Sequence, residues 1–151
     1  MTKTNSVTAV CDDVLGTSDA VEIARLIRTG EIQASEAVDA AIARAESVNP
    51  SLNAIATPLF ESARQQAQRP RPGPFAGVPS FIKDNEAVAG SPVLHGTRGL
   101  PRKPAKKSSP FAKQFLSLGL INLGKTTMPE FGLTGTTEAL LYGPTHNPWK
   151  L

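Results

Sequence analysis

Apolar positions in the first part of the chain recur every three or four residues, a spacing that predicts helices. In "TSDAVEIARLIRTGEI" Val21, Ala24 and Ile27 fall on one stripe, Asp19 and Glu22 stand in the first turn, and Gly30 follows as a stop. A second helix is expected from an N-cap at Ser35 to Val48, with Val38, Ala41, Ile42, Ala45 and Val48 along one face and Asn49-Pro50 ending it. Its many alanines permit close helix packing. "PLFESARQQAQ" predicts a third, more polar helix, and "RPRPGP", Arg69 to Pro74, a stiff, turn-rich linker.

Beyond the linker the pattern changes. Val78 to Ile82 is a short apolar run that reads as a strand, and it ends in Lys83. Ser109 is a good N-cap with Pro110 at the first helical position, Phe111 to Leu118 reads as helix, and Gly119 is its stop. "LINLGKT" follows as another strand. Strand, helix, strand over this length is a crossover unit, which implies parallel pairing in a sheet covered on both faces. The expected class is therefore α/β, with N-terminal helices leading into the first strands of a sheet. The long segment between Asp84 and Ser108 carries glycines, prolines and basic residues, and a loop of that length is usually functional or mobile.

Composition narrows the classes. The chain has 151 residues, 40% of them hydrophobic, with no extreme of charge, so it reads as globular rather than disordered. The net charge of +3 is concentrated in "RGLPRKPAKK", which lacks the interleaved aromatics or helical frame of a nucleic-acid reader. Nucleic acid is not the expected partner. The lone Cys11 makes no internal disulfide, and no Cys/His cluster has metal-ligand spacing, so neither a metal nor a cofactor is expected. The N-terminus lacks a secretory pattern and nowhere do eighteen apolar residues run together, which points to the cytoplasm and away from a membrane.

A lysine at the carboxyl end of a strand can be a solvated tip, half of an ion pair or a catalytic base. Open α/β sheets bind ligands outside those strand ends. "GVPSFIKD", "LGKTTMPEFG" (Leu123 to Gly132) and "YGPTHNPW" (Tyr142 to Trp149) resemble, in order and approximate spacing, the N-terminal part of the amidase signature enzymes. The helices around "IRTGEI" and "AIARAESVNPSLNA" are similar to that family's approach to its core, so the resemblance runs from about Asp19 to Trp149. It implies a mixed sheet sandwiched by helices, incomplete in this chain, with residues 1–151 forming the N-terminal part of a single amidase domain. The helical lead-in would occupy about 17–68, the linker 69–74 and the start of the α/β core 75–151.

The resemblance also implies chemistry. The family hydrolyses amide and sometimes ester bonds of small molecules through a serine, a second serine joined by a cis peptide bond, and a lysine, to which Lys83 corresponds. An amine at its reference pKa of about 10.4 is protonated at neutral pH, whereas burial and hydrogen bonds favour the neutral form that can accept a proton. Both serines of the family pattern would lie past Leu151, so the chain as given is expected to be inert. The alternative is a non-catalytic partner-binding module, or half of a split enzyme. The wording of "GVPSFIKDN" and the nearby "HGT" is more similar to bacterial stand-alone amidases, including 6-aminohexanoate-cyclic-dimer hydrolases, than to the transfer RNA enzyme.

Other residues receive plainer readings. Ser108-Ser109 is better explained by capping than as the serine pair. His95 and His146 read as ordinary surface histidines, and Asp84 either orients the lysine or hydrogen-bonds local backbone, the structural role being favoured. In "GKTTMPEFG" the glycine is expected to end the strand, with Pro129 starting a short helix and Glu130 at its positive end. Trp149 offers apolar surface that wants a partner.

Overall fold

The structure, a computed structural model, describes residues 6–149. Along the chain come α1 (Ala20–Thr29), α2 (Ala34–Leu52), β1 (Ile55–Pro58), α3 (Phe60–Ala67), β2 (Pro79–Lys83), α4 (Pro110–Ser117) and β3 (Ile121–Thr126). A 3₁₀ turn (Glu130–Gly132) and a small hairpin, β4 (Glu138–Ala139) with β5 (Gly143–Pro144), complete them.

Local chemistry explains where the helices start and stop. The Asp19 carboxylate accepts from the Glu22 amide at 2.9 Å to open α1, and Gly30 closes it in a left-handed conformation at φ 77°. The stripe facing the core is Ile23, Ala24 and the half-buried Ile27, while Val21 is 67% exposed. Val21 lies two residues from Ile23, about 200° around the helix, so it cannot share that face.

α2 differs from its expected bounds at both ends. Its N-cap is Gln33, whose amide is bonded to the Glu36 carboxylate at 2.7 Å, and Ser35 lies inside the helix. The helix also continues through Pro50 to Leu52. A proline so near the end sacrifices little more than the bond its missing N–H would have made. Asn53 then turns the chain at φ 52°, and the Asn49 side chain accepts from the amides of Ala54 and Ile55.

The central sheet has the order β1-β3-β2, with β1 antiparallel and β2 parallel to β3. The β2-α4-β3 crossover therefore forms as the pattern implied. β1 is the strand that periodicity did not signal: "IATP" is too short to show alternation and contains a proline. Helices α2 and α3 cover one face through Val38, Ile42, Ala63, Ile121 and Leu123. α4 covers the other through Ala112 and Phe115 on Ile82. As outer strands, β1 and β2 each keep one edge without a partner among the described residues.

Gly124 lies inside β3 rather than at its end, because β1 crosses so closely that a Cβ there would come within 2.5 Å of the Thr57 carbonyl. The register slips at the same place. Partners advance from Ser80 to Ile82 in β2 but from Asn122 to Lys125 in β3, so β3 carries the extra residue of a bulge.

The segment ahead of α1 is tied to α2 by Asp13 and Arg44. Arg44 Nε and Nη2 donate to the two Asp13 oxygens at 2.7 and 2.5 Å, and the amides of Leu15 and Gly16 donate to Asp13 Oδ1. The Arg44 guanidinium, aided by these bonds, holds the Asp13 carboxyl well below the usual carboxylate range. A depressed native value stabilises above the unfolded one, near pH 4, and the benefit fades as pH falls further. Asp13→Asn should therefore lower Tm at pH 7, and the gap to the parent should close below about pH 4 in a melting series.

Several large apolar side chains remain in solvent, among them Phe131 at 54%, Leu133 at 81%, Leu140 at 75% and Trp149 at 80% exposure. The partner that Trp149 called for is not among the described residues. Prepared alone, the 151-residue chain is expected to bind a hydrophobic dye and to be sparingly soluble. A soluble monomer with a sharp cooperative melt and no dye signal would overturn this.

Candidate active site

Two lysines stand near the carboxyl ends of neighbouring strands, and the fold treats them oppositely. Lys83, the last residue of β2, is exposed, and none of the ion pairs among the described residues includes it. It borders an open depression shared with Phe81, Glu86, Phe111 and Phe115. Lys125, in β3, is 0% exposed, as is Asp84, the residue after Lys83. Lys125 Nζ lies 2.8 Å from Asp84 Oδ1 and donates to the Pro92 carbonyl at 2.8 Å.

The bulge at Gly124 makes this pairing possible. Simple alternation would send Lys125 to the face that Ile121 and Leu123 bury under α2 and α3. The extra residue resets the parity, and Lys125 turns to the side of the chain that follows β2. Asp84, the first residue past β2, reaches that side because neighbouring residues along extended chain point opposite ways, so Lys83 and Asp84 diverge.

Asp84 collects bonds from several segments. Its Oδ2 accepts from Tyr142 Oη at 2.5 Å, its Oδ1 from the Leu94 amide at 3.4 Å, and its own amide donates to the Thr126 carbonyl at 3.1 Å. Tyr142 stands in the turn between β4 and β5. Burial, followed by the bond to Asp84 and the nearby negative charge, raises the Tyr142 hydroxyl well above its ordinary value.

The long segment after Asp84 is pinned to the strand ends. Besides Pro92 and Leu94, the Phe131 amide donates to the His95 carbonyl at 2.8 Å, and His95 stacks on Phe131. The Gly90 amide donates to the Ala105 carbonyl at 3.0 Å, and the Ser109 amide to the Ala87 carbonyl at 2.9 Å.

The remaining sequence candidates fall into supporting positions. Ser109 caps α4 by accepting from the Ala112 amide at 3.1 Å and donates to Glu86, while Ser108 accepts from the Ala89 amide. His146 uses its backbone amide to bond Leu52. The 3₁₀ turn starts at Glu130 with Pro129 as its N-cap, one residue later than expected of the proline. Asp84 does more than bond local backbone, since its side chain meets a residue of another strand and one of the hairpin.

Lys125 and Tyr142 escaped the sequence reading. The signal for Lys125 was present: a charge within the strand "LINLGKT", which carries apolar residues and follows a crossover helix, demands a partner if it is buried. Nothing comparable marks Tyr142, whose role depends on a hairpin of four paired residues.

Residues 36–151 match the profile of the family described as Amidase. AmiC of Mycobacterium tuberculosis is 46% identical over 144 residues, which cover 94% of this chain and 30% of AmiC. The 6-aminohexanoate-cyclic-dimer hydrolase of Paenarthrobacter ureafaciens is 39% identical over 136 residues, 88% of this chain and 27% of that protein. A solved structure of 6-aminohexanoate cyclic dimer hydrolase with its substrate superposes with a TM-score of 0.84 at 39% identity, covering 89% of this chain and 28% of the other. The chain thus spans about 30% of the length of the curated relatives it matches.

Because the sequence holds a single tyrosine, phenolate absorbance reports Tyr142 alone. In the folded chain the signal should rise only well above the ordinary tyrosine value of about 10, and in denaturant it should return to that value. A native titration at the ordinary value would refute the buried bond to Asp84.

Proposed function

The chain belongs to the amidase family, and from that premise we propose that it is the N-terminal portion of an amide hydrolase in which Lys83 moves the catalytic protons. The observation that carries this reading is the contrast between the two lysines. Lys125 is sealed and committed to a carboxylate and a carbonyl, so it has no path to a substrate. Lys83 stands at the carboxyl end of a parallel strand, open and unpaired among the described residues. That is where α/β sheets place their ligands.

The reaction follows from the family resemblance. A nucleophilic serine attacks the amide carbonyl carbon while its proton passes to a bridging serine, whose own proton passes to the Lys83 amine, which can accept it once the serine-bearing portion covers the exposed lysine and favours its neutral form. The proton then returns by the same route to the leaving nitrogen as the C–N bond breaks. Water hydrolyses the resulting ester. The two serines would be supplied by sequence beyond Leu151, so the 151 residues by themselves are proposed to lack turnover. The substrate class is a small linear or cyclic amide. The resemblance to cyclic-dimer hydrolases makes short aminohexanoate oligoamides the first compounds to assay.

The test is Lys83→Ala in a polypeptide that contains these residues together with the serine-bearing portion. Amine release should fall by at least about 10²-fold, the usual contribution of a proton-transfer group. Hydrolysis at an unchanged rate would refute the assignment. The isolated chain should release no product, and mixing it with a separately made remaining portion tests whether the two halves reassemble.

A further inference from the structure

The structure assigns a second task to the buried group beside Lys83: we propose that Asp84, Lys125 and Tyr142 form a positioning set that fixes the reactive lysine. The inference rests on the catalytic reading of Lys83 given above. None of the three touches the open side of β2; they act on Lys83 through the backbone.

The case begins with an energetic oddity. Two charges have been taken fully out of water, and such a pair often stabilises a fold no better than apolar residues of the same volume. Stability alone is therefore a poor account of why a lysine and an aspartate occupy this place. Their location is a better one. The Asp84 carboxylate draws together β3 through Lys125, the long loop through the Leu94 amide, and the β4-β5 turn through Tyr142. Lys125 adds the Pro92 carbonyl of the same loop. β3, the long loop and the β4-β5 turn are thus all fastened to the residue directly after Lys83.

The backbone transmits the effect. The Asp84 amide is held by Thr126, and the Lys83 carbonyl accepts from the Glu86 amide at 3.1 Å. With the following peptide fixed on both sides, the direction in which the Lys83 side chain leaves the strand is fixed too. Only its four methylene groups remain to be ordered. Proton transfer needs heavy atoms within hydrogen-bond reach, and a displacement of about 1 Å at a reacting group can cost on the order of 10²-fold in rate. A clamp one residue away governs that displacement.

Two variants in the catalytically competent polypeptide test the idea. Tyr142→Phe keeps the ring and removes one hydrogen bond. The double variant Asp84→Asn with Lys125→Met removes both buried charges together, so neither is left unpaired, and a cooperative melt checks that the fold is kept. Positioning predicts that kcat falls about tenfold in the first and about a hundredfold in the second, with KM within about twofold of the parent. These assays are run well below each variant's Tm, and backbone amide exchange at Lys83 and Asp84 should quicken in both variants. Unchanged kcat in both, with Lys83→Ala inactive, would overturn the positioning role and leave the Lys83 assignment standing. A raised KM at constant kcat would also overturn it, by showing that these residues meet the substrate. Full activity of Lys83→Ala would remove the catalytic reading and this proposal together.

Discussion

A lysine and an aspartate sealed from solvent and 2.8 Å apart impose the condition that the rest of this structure satisfies. Either charge alone in that position would destabilise the fold by about 3–5 kcal/mol, so each exists only because the other is there. The requirement reaches outward. β3 needs its extra residue so that Lys125 emerges on the side of Asp84, and Gly124 is needed because β1 passes so closely beside that irregularity. The loop after β2 must bring in Pro92 and Leu94, and the hairpin must bring in Tyr142, because a buried carboxylate and ammonium have more bonding capacity than one contact satisfies.

Division of labour between adjacent residues follows from strand geometry. Alternation sends Lys83 and Asp84 to opposite sides, so a single dipeptide presents one group to solvent and anchors itself with the other. The apolar layers on the two faces of the sheet, α2 with α3 on one and α4 on the other, hold β2 flat against β3. The three-stranded core is small. Its precision at the strand end comes from polar contacts made by segments with little regular structure of their own.

Much of this was legible in the amino-acid sequence. The caps Asp19 and Ser109, the stop at Gly30 and the β2-α4-β3 crossover follow from local chemistry and spacing, and the motifs carried the family. What was not legible depends on tertiary contact. β1 has four residues and no alternation to reveal it, and it is a strand because Gly124 lets it approach β3. Pro50 signals a helix end, yet α2 runs two residues past it because Asn49 and Asn53 satisfy the exposed backbone there. Val21 matched the helical period while its neighbour Ile23 was the residue that faced the core. Lys125 was hidden by its own motif, since a lysine beside a glycine looks like a strand end until the bulge and the partner are seen.

The edge of β2 that has no partner among the described residues has a consequence for how any further strand could be added. Hydrogen-bonded strands advance by about 3.3 Å per residue and alternate their side chains, so positions facing Lys83 from a neighbouring strand come only in steps of about 6.6 Å. A slip of one residue would turn every facing side chain away. The backbone of Pro79–Lys83 therefore works as a ruler: it admits few registers, and an insertion or deletion in the pairing segment would change which residue faces the amine rather than move it by a tolerable fraction of an ångström.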